Sequence, residues 1–238
     1  MRRIALVDKT TEHKPAAGVL EAIADALTIQ IERDFAPSWA IALRQVHVGG
    51  RGQKVYVLDS AEQAATEYGW HTVDDDGLPY AHVYVATCKE VGSDWLTGDE
   101  SVAAVIGHEV LEMLVDPCAN EYAFDGYRRL WACEVCDPVQ ATSYRIRTGG
   151  MQVPVTNFVL PAFFNAFADG PYDHLGILEA PFTVAKGGYA VSQRSGRMRQ
   201  LLGRRRLTVE FDPAVPEARR STKLEGYGRT YWRKQLLP

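Results

Sequence analysis

The chain of 238 residues has no apolar run approaching the roughly 20 residues that a bilayer span requires. Its opening, Met-Arg-Arg-Ile-Ala-Leu-Val-Asp, is too short an apolar stretch for a signal peptide and reads as a first strand. Cysteine is scarce. The four present, Cys88, Cys118, Cys133 and Cys136, lack the spacing of a disulfide framework and point to a reducing, cytoplasmic compartment. Internal repeats and low-complexity tracts are missing too, which argues against solenoids and disorder.

What is there is a folding chain, 46% hydrophobic and 24% charged. The formal net charge of −4 hides a division. Residues 1–185 hold 13 Lys and Arg against 26 Asp and Glu, while residues 186–238 hold 13 against 4, so −13 is followed by +9. The expected organisation is therefore a main domain over 1–185 and a basic extension over 186–238. The extension contains Arg204-Arg205-Arg206 and ends in Tyr227, Arg229, Tyr231, Trp232, Arg233 and Lys234. That mixture suits a protein assembly contact, where Trp, Tyr and Arg are anchors, or docking on the acidic body itself. Nucleic acid is the weaker alternative, because the acidic body would repel phosphate.

Ile4–Asp8 reads as a strand, and apolar residues from Val19 to Ile31 share one helical face within 15–35. Residues 41–48 and 55–58, separated by a glycine-rich turn, resemble a hairpin. Asp74-Asp75-Asp76-Gly77 is a solvated turn rather than a calcium loop, since the alternating ligand spacing is absent. Tyr80–Thr87 alternates as a strand should. Thr97-Gly98-Asp99-Glu100 has the form of a capping box, opening a helix that runs to Val115 and stops at Asp116-Pro117. Beyond it the sequence is irregular and aromatic.

The helix carries the chemistry. Ser101, His108, Glu109, Glu112 and Asp116 fall on one polar stripe and apolar residues cover the rest, so the helix is expected inside the domain with its stripe lining a cleft. His108 and Glu112, at i and i+4, offer two ligands to one metal ion. Glu109 is placed to act as general base on a metal-activated water. Glu134, 22 residues beyond Glu112, is the candidate third ligand, with Asp137 as a further ligand or an orienting partner. The i, i+4 ligand pair makes zinc the first candidate, while one nitrogen among carboxylates is a harder site that suits zinc less well and manganese, iron or calcium better. Tyr122, Tyr172 and His174 are candidate oxyanion donors. His13, His47, His71 and His82 have no partner spacing and receive no role. Cys133-Glu-Val-Cys136 with Cys118 offers three thiolates to a structural zinc, or else small half-buried residues beside Glu134.

His108-Glu109-x-x-Glu112 on a helix, after an alternating strand and before Glu134-x-x-Asp137, resembles the zincin metallopeptidases, in particular the gluzincin pattern His-Glu-x-x-His…Glu-x-x-x-Asp. Glu112 stands where that pattern has its second histidine. The resemblance spans about residues 80–137 and implies an α+β or α/β fold with a twisted mixed sheet above an active-site helix, a peptide or protein substrate, and a substrate-pairing role for the strand at 80–87. The wider pattern, with Trp131 and Asn157-Phe-Val-Leu-Pro161, also resembles bacterial and phage proteins carrying the modified helix. That likeness implies the alternative of a structural or assembly protein, in a phage particle, with a degenerate or structural metal site.

Overall fold

A computed structural model describes residues 3–42, 45–60, 67–203 and 208–211. The remainder of the basic extension, including the aromatic cluster at its end, lies outside the described residues.

The fold is α+β. Its first sheet combines β1 (Arg3–Asp8), β2 (Gln45–Val48), β3 (Gln53–Leu58), β4 (Gly69–Val73) and β5 (Pro79–Tyr84) in the order β2-β1-β3-β5-β4. Every pairing is parallel except β4 with β5, so the sheet is mixed. The hairpin expected from 41–58 is not formed. β2 and β3 instead flank β1 on its two sides, both parallel to it. Gly49, Gly50 and Gly52 all take positive φ, and that freedom lets four residues cross β1 rather than fold back.

Helix α1 (Val19–Ile29) buries Val19, Leu20, Ile23, Ala26 and Leu27 and exposes only Glu21 and Asp25, one turn apart. The chain stays helical through a wider π-type stretch, Gln30–Phe35, into the short α2 (Ala36–Trp39). β5 ends at Tyr84, where the expected strand turns helical as α3 (Val85–Glu90). Helix α4 (Val102–Val115) packs on β4 and β5 from one side and on β9 (Met151–Thr156) of the β8 (Ser143–Thr148)–β9 hairpin from the other, with α1 beside it. A helix enclosed in this way must be apolar nearly all round, which explains its composition. Gly107 makes the close approach possible, since a methyl group there would stand 3.0 Å from Leu27 Cδ2. The helix starts later than the capping box implies: Ser101 is its N-cap, with Oγ accepting from the Ala104 amide at 3.3 Å.

The second half, expected to be irregular, forms short antiparallel strands. β6 (Tyr122–Phe124), β7 (Leu130–Ala132), β10 (Tyr189–Arg194), β11 (Arg197–Leu202) and β12 (Thr208–Phe211) make a sheet in the order β12-β11-β10-β7-β6. The boundary expected at residue 185 falls just before β10, which pairs with β7 through Ser192 and Trp131 and buries Tyr189 completely. The first part of the basic extension thus completes this sheet.

Candidate metal centre

Three elements converge on one buried cluster. α4 supplies His108, Glu109 and Glu112; β4 supplies His71; the segment after β7, ending in a 3-10 turn over Asp137–Val139, supplies Glu134, Cys136 and Asp137. The helix and that segment are tied by Glu112, whose Oε1 accepts from the backbone amides of Cys136 at 3.0 Å and Asp137 at 3.2 Å. Its Oε2 lies 3.1 Å from His108 Nε2 and 3.9 Å from His71 Nδ1. His108 Nε2 is also 3.2 Å from Asp137 Oδ1. Glu109 Oε2 and Glu134 Oε2 join them through His71, at 3.4 Å and 3.9 Å, so the five expected site residues, Glu109, His108, Glu112, Glu134 and Asp137, are neighbours.

His71, which no spacing in the sequence singles out, completes the cluster. Its Nε2 is 3.0 Å from the Asp116 carbonyl, which can only accept, so this nitrogen carries the proton. Nδ1 then faces Glu109 Oε2 at 3.4 Å and Glu112 Oε2 at 3.9 Å. An imidazole anchored to a carbonyl through one nitrogen while the other faces carboxylates is the usual arrangement of a metal-bound histidine. The only sequence signal was alternation: in β4, Gly69 and His71 share the face of Ala81 and Val83 against the helix, while Trp70 and Thr72 face away. Gly69 makes room for the base, since a methyl group there would stand 2.8 Å from Glu109 Oε1.

The strand bordering the helix differs from expectation. Both sides of β5 are occupied, by β3 and β4, so the edges of the first sheet are β2 and β4 and the substrate-pairing role expected for 80–87 is not available to β5.

The site is closed. His71, His108, Glu112 and Asp137 are 2% exposed, Glu109 1% and Glu134 4%, so the cleft expected along the polar stripe is enclosed. Burial shapes the electrostatics. It pushes Glu134 well above the carboxylate range, and the negative charges of Glu112, Asp137 and Asp116 push the same way. Asp137 rises to about 8 for the same reasons, burial first and Glu112 next, against the pull of His108. Burial likewise raises Glu109, with His71 and His108 only partly offsetting it. For the imidazoles burial works downward, but Glu112 and Asp137 outweigh it at His108, and Glu109 does so at His71; both are raised. Glu112 alone is lowered, because His108 overcomes the effect of burial. Neither oxygen of Glu134 has a hydrogen-bond partner, nor does Glu109 Oε1.

Two groups within the cluster could hold a metal ion, His108 with Glu112 and Cys136, and His71 with Glu109 and Glu112; Glu112 is common to both. Two ligands each about 2.1 Å from an ion stand no more than about 4.2 Å apart. The contacts among His71, His108, Glu109, Glu112 and Asp137 given above fall within that limit. Cys136 enters through the helix-facing histidine and carboxylate, not through a three-thiolate site; Cys88 sits in the core with its thiol on the Tyr84 carbonyl.

No family model, curated protein or solved structure matches the chain. The remaining candidates separate by position. The Tyr122 phenol is raised by burial and by Glu134, which places it beside the cluster. Tyr189, fully buried, is raised by burial and then by Asp137. Tyr172 donates to the Ala168 carbonyl, and His174 stacks on Phe158 at 4.9 Å beside Tyr144; their partners are outside the cluster. Among the described residues no helix is long and apolar enough to cross a membrane.

Proposed function

We propose that the chain binds a divalent metal ion at this cluster and acts as a metal-dependent hydrolase of peptide bonds, in the manner of the zincins it resembles. The observation that carries the metal reading is Glu134: a buried carboxylate whose oxygens accept no hydrogen bond and whose nearest cation among the described residues is His71 Nε2 at 3.9 Å, in a cluster where Glu109, Glu112, Asp116, Glu134 and Asp137 outnumber two imidazoles. Such an excess of buried negative charge calls for a cation or for protons. The nitrogen from His71 offsets the glutamate that replaces a second histidine in the motif, and with the nearby Cys136 thiol it favours zinc over manganese, iron or calcium.

A bound ion would polarise a carbonyl and lower the pKa of a water. Glu109 is the proton acceptor: Oε2 lies 3.4 Å from His71 Nδ1 and Oε1 has no hydrogen-bond partner. Glu112 is fixed by two backbone amides and cannot rotate away. The free edge of β4 would lie alongside an extended peptide substrate.

Elemental analysis of protein purified without chelator tests the metal, run beside His108→Ala. About one equivalent in the first and none in the second is the expected result; equal content in both would move the site elsewhere. Glu109→Gln should retain the ion and lose any peptidase activity, and surviving activity would remove Glu109 as the base. A second reading is favoured by the exposure of only 1–4% across the cluster: a structural ion in an assembly protein. Full metal content with no hydrolysis of unfolded protein substrates would select it. The assembly role expected of the basic extension would be tested by deleting 212–238 and following partner capture.

A further inference from the structure

A second feature lies away from the metal centre, at the tip of the β6–β7 hairpin. A cavity of about 280 Å³ is lined by Asp125, Tyr127, Arg129, Trp131, Ala166 and Phe182. Small-molecule pockets begin at about 300 Å³, so this one lies at their lower limit and has room for one protruding side chain. Phe182 holds a φ of +52°, a conformation uncommon for a bulky residue, and its ring packs 5.4 Å from Trp131 and 5.9 Å from Phe163. The rim is apolar and open to solvent: Tyr127 is 79% and Phe167 86% exposed.

Arg128 and Arg129 make this tip basic, and among the described residues neither pairs with a carboxylate. Asp125 does not serve them through Oδ1, which accepts the backbone amides of Tyr127, Arg128 and Arg129 and so holds the turn. Trp, Tyr and Arg around a pocket are the residues that dominate binding energy at protein interfaces. The occupant they fit is an acidic loop with a protruding apolar side chain.

The same chain carries one. The β4–β5 turn reads Asp74-Asp75-Asp76-Gly77-Leu78, and Leu78 is 61% exposed. Asp74 Oδ1 accepts from the amides of Asp76 at 3.0 Å and Leu78 at 2.8 Å, which fixes the turn and leaves the exposed Asp75 and Asp76 for a partner. A turn already fixed loses little freedom on binding.

We infer that the chain associates head to tail, the β4–β5 turn of one copy placing Leu78 in the hairpin cavity of the next, with Asp75 and Asp76 against Arg128 and Arg129. The two surfaces are different patches, so the contact is heterologous and propagates as a ring or an open chain. It is independent of the metal reading. A single loop in a single pocket is a small interface, so the association is weak and concentration-dependent.

Sedimentation velocity of the full chain over about 10 to 500 µM tests this, with the weight-average coefficient expected to rise across the range. Leu78→Ala, Asp75→Arg and Arg129→Glu alter exposed or half-exposed side chains, and each alone should move the rise about tenfold or more higher in concentration. Mixing the Asp75→Arg and Arg129→Glu proteins should restore association as far as a heterodimer, since the intact turn of one then meets the intact pocket of the other. Wild-type protein that stays monomeric throughout, variants that associate like wild type, or a mixture that does not recover would each overturn the inference. Association driven by the basic extension alone would appear as the second of these results.

Discussion

Glu134→Gln should change stability in opposite directions with and without metal. In the metal-free chain, burial and the neighbouring Glu112, Asp137 and Asp116 hold the Glu134 pKa well above its ordinary 4.5. The folded protein therefore keeps a proton that the unfolded chain releases, and the contribution of this group to stability falls as pH rises above 4.5. Glutamine fills the same space without charge. Abolishing that proton linkage is worth about 2 kcal/mol at pH 7.5, and close to nothing near pH 4.5. For a chain of this length 1 kcal/mol moves Tm by about 2–4 °C, so the metal-free variant should melt about 4–8 °C higher than wild type at pH 7.5. With metal at a thousand times its Kd the wild type gains about 4.1 kcal/mol, or some 8–16 °C. The variant gives back part of that gain, about 1.4–2.7 kcal/mol for a ten- to hundredfold loss of affinity. The assay is thermal unfolding by circular dichroism on chelator-stripped protein, at pH 4.5 and 7.5, with and without zinc. A metal-free variant less stable than wild type at pH 7.5, or an equal metal-induced gain in both proteins, would refute the assignment of Glu134 to the centre.

Glu100 is raised to about 7 by burial, with His108 pulling it down and Asp99 pushing it up. Its folded pKa exceeds the unfolded 4.5, so stability is lost as pH climbs through 4.5 to 7; after a discount for partial exposure, Glu100→Gln should add ~2 kcal/mol at pH 8 and nothing at pH 4 in urea unfolding, and a pH-independent effect would count against it. Ser101→Ala removes the N-cap of α4 and should cost ~1 kcal/mol, about 2–4 °C in Tm, whereas Thr97→Ala should be silent; the reverse pattern would restore the capping box at 97–100.

Much of the architecture was written in local pattern. The burial of α4 followed from an apolar circumference broken by one polar stripe, and β1 and α1 from the alternation at 4–8 and the face formed by Val19, Leu20, Ile23 and Leu27. Pairing was less legible, because strand alternation is the same whatever the partner. Residues 45–48 and 53–58 were recognisable as strands, yet whether the glycines between them fold back or step across β1 depends on β1 occupying the middle of the sheet. The second sheet was hidden for a related reason: β6 and β7 are three residues each, too short to show a period, and their partner β10 lies nearly sixty residues on, inside the stretch whose arginines set it apart by composition.

The centre shows the same division between what spacing can carry and what only topology can. His108, Glu109 and Glu112 share a helix, so their relation is fixed by 3.6 residues per turn. Glu134 and Asp137 follow within about a helix length of Glu112, close enough to be proposed as its partners. His71 is 38 residues before Glu109, and three turns of fold must be right before it reaches the helix: β5 must run parallel to β3, β4 must return antiparallel along its outer side, and the register must set His71 opposite Ala81 on the inward face. A slip of one residue in β4 would send Trp70 into the cluster and His71 outward. That dependence makes the β4–β5 turn important twice over. The hydrogen bonds from Asp76 and Leu78 to Asp74 Oδ1 fix the register that delivers His71, and they also fix Leu78 and two carboxylates on the outside, so Asp74→Ala should loosen the metal centre and the proposed head-to-tail contact together, while Leu78→Ala should affect only the contact. Measuring metal affinity and sedimentation on both variants separates register from anchoring, and equal behaviour of the two would show that the turn serves neither as described.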